Sequence, residues 1–288
     1  MRKDSASDYG QAEDKIVKTF VGLSHQAFGI YSAGMSTVEH TVPVNRLHAL
    51  FGYAEESTSE AMRILITSGN TFPAVALARV RVEQLIVISY LIHEDFEKAL
   101  LPYLQQHPID RYKAGKEAIK DPLLKTFLSS QSHQHLAQVA AAAHQARDPS
   151  SDGTEKSLNQ SKWTKLDLLS MAKRRDTLTK EKTDICAHPL ETSYQAFYRD
   201  FSSVIHSGSI ALMPDFTVSE ILPDGKHVIF PNPAWTRLLA MTLAYWDILG
   251  MYEILQRLAI DKKDAFRHLH NEWFLAKSDY FGIDASDP

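Results

Sequence analysis

The two most apolar stretches of the chain, residues 72–92 and 235–260, both carry charge well inside them. Arg79, Arg81 and Glu83 interrupt the first; Arg237, Asp247 and Glu253 interrupt the second. A charged side chain near the centre of a spanning helix costs a few kcal/mol. Neither stretch therefore reads as a membrane span, and both read as helices buried inside a protein. From Ala74 to Ile92 the first is apolar almost all round, which places it centrally in a helical bundle. A charge at such depth needs a partner. Arg79 and Glu83 are four apart and share a face, so they are expected to pair or to line a cavity.

The rest of the chain supplies the other helices of the bundle. Ile16, Val17, Phe20, Leu23, Ala27, Ile30 and Tyr31 recur at helical spacing. A second helix is expected to open near Pro43 and to stop at Gly69-Asn70, with a polar interruption over 55–60. Thr71 then reads as the cap of the central apolar helix. Breaks are expected near Pro102 and Pro108, and Asp121-Pro122 opens a helix running to about Arg147. Residues 148–161, DPSSDGTEKSLNQS, have the composition of a flexible linker or surface loop. A short helix led by Trp163 follows, then a helix over about 191–212. Pro-Asp-Gly-Lys between two β-prone runs marks a small hairpin near 216–230. Asn232-Pro233 and Asp261 cap the last two helices. The expected fold is all-α, one domain over 1–288, a bundle of about eight to nine helices with that one hairpin.

Composition narrows the function classes. The net charge is −4 and the sequence pI about 6.3, so no global basic field draws in nucleic acid or anionic membrane. A nucleic-acid role then requires a local cleft or a groove between subunits. A single cysteine, Cys186, fits a reducing compartment, and the first residues lack the apolar core of a signal peptide. The expected location is cytoplasmic. His133 with His135 and His268 with His270 are two apart and fall on different sides of a helix. No Glu-x-x-His, no His-Glu-x-x-His and no cysteine pair occurs, so neither a metal nor another cofactor is expected. Lys173-Arg174-Arg175 reads as a solvated basic cluster at a helix end.

The stretch YQAFYRDFSSVIHSGS, residues 194–209, gathers the most chemistry. On an α-helical wheel Phe197, Phe201, Val204, Ile205 and Gly208 fall on one side, which is the core face. Tyr198, Ser202 and Ser209 border it. Arg199 and His206, seven apart, lie within about 20° of each other and point away from the core. Arginine grips phosphate with its planar fork, and histidine moves a proton near neutral pH. Together they outline a phosphodiester site. Their Cα atoms are about 10 Å apart and both side chains lean toward the helix N-terminus. Arg199 thus leans away from His206, and two such helices across a two-fold axis close around a phosphate better than one.

Three blocks, ALARVRVEQLIVISYL (76–91), KWTKLDLLSMAKRRD (162–176) and YQAFYRDFSSVIHSGS, carry a resemblance to the bacterial domain-of-unknown-function 5677 family. The shared features are Arg79 with Glu83, Trp163, and the ladder Tyr198, Ser202, His206, within a family-like core at about 70–215. That family is more distantly similar to the HEPN superfamily (higher eukaryotes and prokaryotes nucleotide-binding), whose signature is Arg, four to six residues, then His on one helix. Arg199-Asp200-x5-His206 matches at the longest spacing, with Arg199 the least distinctive member. The resemblance implies a dimeric helical protein that cuts RNA without metal, as toxin and antiphage effectors do. His206 and Arg199 would be catalytic, with Tyr198, Ser202, Arg79 and Glu83 supporting the site. Two other readings stay open. One is a non-catalytic helical scaffold or sensor; the other is a small-ligand pocket lined by Arg79, Glu83 and His206.

Overall fold

A computed structural model describes residues 6–39, 41–120, 130–182, 184–199, 217–221 and 227–282. Regular structure among them is helical except for two short strands, Thr217–Ile221 (β1) and His227–Pro231 (β2). These pair antiparallel, Thr217 opposite Pro231 and Ile221 opposite His227. The fold class is all-α. The chain forms two compact units, Met1–His93 with Leu168–Pro288, and Glu94–Asp167.

The first unit is built around Pro233–Arg257, whose residues from Leu239 to Leu255 are buried almost without interruption. Asn232 caps this helix by accepting from the Ala234 N–H at 3.0 Å, with Pro233 in the first turn. The helix is long and apolar enough to cross a membrane by length and composition, yet 89% of its most apolar window is buried within the protein. Ala6–Met35 (α1) packs along it through Val17, Phe20, Leu23, Ala27 and Tyr31, the apolar series that the spacing predicts. Thr71–His93 (α4) packs on another side, and a glycine permits the close approach. A Cβ on Gly250 would sit 3.2 Å from Leu85 Cδ1 and 3.7 Å from Arg81 Nη2. Thr71, expected as a cap, instead meets the Thr236 hydroxyl at 2.6 Å.

Val42–Ala54 (α2) and Glu60–Thr67 (α3) are joined by a π-helical turn, Glu55–Ser59. The polar interruption foreseen at 55–60 is this turn. Much of it turns inward: Glu55, Thr58 and Ser59 are buried, while Ser57 is exposed. Gly69, at φ +73°, stops the run as expected.

The second unit centres on Phe96–Ala118 (α5) and Ser130–Arg147 (α6). α5 runs unbroken through Pro102 and Pro108, where breaks were expected. Its inner face is held by Ile109 and Tyr112, which share a core with Ala140 and Leu158; that packing outweighs the missing N–H donors. The predicted start of α6 at 121–122 lies outside the described residues. Within 148–161, read above as a linker or surface loop, Glu155–Gln160 (α7) is a helix. Thr154 caps it and Leu158 anchors it in the core. Gly153, at φ +63°, makes the reversal that brings α7 back. Trp163 precedes the next helix, Leu168–Thr179 (α8), rather than leading it, and packs edge-on to Tyr103 at 5.1 Å.

The first unit closes with a 3₁₀ turn at Ile185–Ala187 and the short helix Leu190–Ser193 (α9), which continues as a π-helical stretch, Tyr194–Arg199. After β2, the long Pro233–Arg257 helix is α10 and Lys263–Phe281 is α11.

Candidate functional site

The charges that α10 carries into the core each organise a buried polar cluster. Asp247, fully buried, accepts through Oδ1 from Ser59 Oγ (2.9 Å) and Arg81 Nη2 (2.9 Å), and through Oδ2 from Ser24 Oγ (2.6 Å). Arg63 Nη1 reaches the same Oδ2 at 3.4 Å and Ser24 Oγ at 2.7 Å, while its Nη2 pairs with Glu55. Two guanidinium groups thus balance two buried carboxylates. The balance is not even. Burial, joined by the charge of Asp247, raises Glu55 to about 7 against the pull of Arg63 and Arg81. Glu55 and Ser59, four apart at the two ends of the π-helical turn, are both buried and supply the cluster from one short segment.

Six residues further along α10, Glu253 is the centre of the second cluster. Arg175 of α8 pairs with its Oε1, Ser89 of α4 donates to its Oε2, and His93 Nε2 lies 3.2 Å from Oε1. Burial alone would raise Glu253, but Arg175 and His93 hold it down at about 2. Arg175 continues outward, donating through Nη1 to the His188 carbonyl (2.7 Å) and to Asp176 Oδ1 (3.1 Å). Asp176 in turn accepts from the backbone N–H groups of Leu190 (2.8 Å) and Glu191 (2.9 Å), the first residues of α9. A chain of charge-assisted bonds therefore runs from the core of α10 to the root of the helix that carries Tyr194, Tyr198 and Arg199.

That helix is also pinned along its length. Trp246 of α10 donates to Ser193 Oγ at 3.4 Å and meets the Phe197 ring edge-on at 5.3 Å. Phe197 thus takes the inward side that the wheel assigns to it. Tyr194 and Tyr198 stack with ring centres 5.0 Å apart. Arg79 of α4 sits over the Tyr198 ring at 5.0 Å and donates to its hydroxyl at 3.4 Å. Arg199 is exposed and reaches only Gln195 Oε1, at 3.5 Å, among the described residues. Glu83 is exposed on α4. His206 and Ser202 lie outside the described residues. The π-helical stretch Tyr194–Arg199 also alters the wheel within those residues: a widened turn shifts Arg199 from its α-helical angle relative to Tyr194.

Donor atoms of His93, Cys186 and Glu253 lie within 4.8 Å of one another, spacing that could suit a metal ion. The chemistry of the set does not. Both Glu253 oxygens are already engaged, one by the Arg175 cation, and burial pushes the Cys186 thiol up, away from the thiolate that a metal requires. The thiol points at Gln256 Oε1, 3.5 Å away.

The structure brings together Arg79 and Tyr198 from the expected site. It adds residues that the sequence reading did not place in the site: Arg81, Arg175, Asp247, Glu253, Glu55 and Arg63. Arg175, read as part of a solvated basic cluster, is fully buried because Glu253 draws it into the core. The signal was present in part, since Arg81, Ser89, Asp247 and Glu253 are polar positions in otherwise apolar helices. No curated protein and no solved structure matches the chain. A family model described as a family of unknown function matches residues 48–221, from α2 through both buried clusters' α4 and α8 members and the Tyr194–Arg199 stretch to β1. Spanning more than half of the sequence, that match makes the chain a member of the DUF5677 family.

Proposed function

We propose that this protein is a HEPN-like, metal-independent endoribonuclease of the cytoplasm, acting as a homodimer and serving as a toxin or antiphage effector. The observation that carries the reading is the exposure of Arg199 on a helix whose root Asp176 caps and whose side Trp246 pins. A guanidinium that spends only one long contact among the described residues keeps its fork available for phosphate. Arg79, stacked on Tyr198, orders the inner border of the same helix and supplies a second cation near it. In this reading His206 takes the proton from a ribose 2′-hydroxyl and later protonates the leaving 5′-oxygen. Arg199 stabilises the pentacovalent phosphate, and Ser202, Glu83 and Tyr198 orient the surroundings. In this reading the complete site takes one group from each of two copies of the chain.

The test is cleavage of a panel of single- and double-stranded RNAs by the purified protein in excess chelator. Cleavage is expected in the wild type and a fall of at least about 100-fold in His206→Ala and Arg199→Ala, with melting temperatures unchanged. Equal cleavage by wild type and His206→Ala removes the reading. The scaffold reading draws its support from the Arg79–Tyr198 contact, which is packing as much as chemistry. It is favoured if no RNA is cut and His206→Ala lowers the melting temperature instead.

A further inference from the structure

The Glu94–Asp167 unit holds a polar hollow of about 540 Å³ between the end of α6 and the loop around α7. Its walls include His144, Arg147, Ser157, Ser161 and Lys162, together with Asp148 and Asp152. The two carboxylates are committed locally. Asp148 Oδ1 accepts from the Ser150 N–H (3.1 Å) and hydroxyl (2.6 Å), and Asp152 Oδ1 from the Thr154 N–H (3.0 Å) and hydroxyl (2.9 Å). The cations are not committed to carboxylates. Arg147 donates to the neutral Gln106 Oε1 at 2.8 Å and to the Ser161 hydroxyl, and it makes no ion pair among the described residues. Lys162 is exposed, with no described partner. His144 is 7% exposed, and its Nδ1 is buried with no hydrogen-bond partner among the described residues. A buried ring nitrogen left without a partner costs free energy that a ligand can recover.

We infer that this hollow binds the phosphate group of a ligand. Arg147 and Lys162 supply the charge, and His144 Nδ1 and the Ser161 hydroxyl supply hydrogen bonds. Ser161 Oγ accepts from Arg147, so its own proton is free to donate to a phosphate oxygen. The groups that Arg147 touches are neutral and Asp110 and Asp148 act on it only through charge, without an ion pair among the described residues, so its fork stays available to a phosphate. A positive group bound here would instead meet two cations and carboxylates already turned to their own loop. The inference stands apart from the ribonuclease reading, because no residue of that site belongs to this unit.

The same chemistry would accept inorganic phosphate, a nucleoside monophosphate or an RNA backbone, and titration calorimetry on the full chain separates them. The probes are inorganic phosphate, AMP, adenosine and a short single-stranded RNA, each against wild type, Lys162→Gln and Arg147→Gln. Expected is binding of phosphate and AMP but not adenosine, weakened about fivefold in Lys162→Gln and at least about tenfold in Arg147→Gln. RNA binding that Lys162→Gln weakens, without AMP binding, supports the site and assigns it to backbone phosphate. Lys162 is exposed and has no partner among the described residues, so its substitution reads binding and not folding. The inference is overturned if none of the probes binds, if adenosine binds as well as AMP, or if every affinity is unchanged in both variants.

Discussion

The Asp247 and Glu253 clusters look alike at first: each centres on one α10 carboxylate, each holds α4 to α10, and each recruits a buried arginine. They differ in where they lead. Around Asp247 the partners come from α1, the π-helical turn, α3 and α4, and the bonds stay among these elements, with one branch from Arg63 Nε to the half-exposed Glu60 of α3 (2.8 Å). Around Glu253 the bonds continue through Arg175 and Asp176 to the first amides of α9. The first cluster ties the bundle together. The second sets the position of a helix that presents side chains to the surface. Burial of charge is common to both, so burial alone does not mark a functional region; the direction of the bonding chain does.

The largest expected effect is in the closed cluster. Asp247→Ala leaves Arg63 and Arg81 without their shared carboxylate and should cost about 3–5 kcal/mol, read from the urea midpoint. A loss under about 1 kcal/mol would show that these charges are hydrated or otherwise compensated. Next is its pH response. Because the folded-state pKa of Glu55 is raised from 4.5 to about 7, the folded protein holds this proton more tightly than the unfolded chain. Its contribution is fully present below about 4.5 and is lost as pH rises through about 7. Glu55→Gln should therefore lose less melting temperature than wild type between pH 5 and pH 8, and parallel curves would contradict the assignment. Smaller in stability is the open cluster's last link. Asp176→Ala should cost about 1 kcal/mol, the usual value of a lost helix cap, yet lower the proposed RNA cleavage more than a surface substitution of equal stability cost.

Smallest is a control in the other unit. Thr154→Ala, which removes the cap of α7, should cost about 0.5–1 kcal/mol and leave the proposed cleavage untouched. A fall in cleavage there would mean that positioning is not special to the Glu253 cluster.

Much of the helical layout is legible in the sequence, since α1, α4 and α10 announce themselves by apolar spacing, caps and a stop at Gly69. The buried clusters are only half legible. Asp247 and Glu253 stand out as charges in an apolar helix, but their partners lie as far away in sequence as Ser24 and Arg81. Nothing in local spacing selects them. On α4 the difficulty is sharper: a helix apolar almost all round has no face from which to choose, and spacing pairs Arg79 with Glu83. The fold instead buries Arg81 and exposes Glu83. The π-helical segments at Glu55–Ser59 and Tyr194–Arg199 have no propensity signature, so every wheel drawn across them is displaced.

The claim that the Glu253 cluster positions the α9 helix is tested most directly by amide hydrogen exchange in Asp176→Ala. The bonds from Asp176 to Leu190 and Glu191 predict that exchange across 190–199 accelerates at least about tenfold, while α1 and the Asp247 cluster keep wild-type protection. Unchanged protection over 190–199, or equal acceleration throughout the Met1–His93 part of the fold, would contradict it.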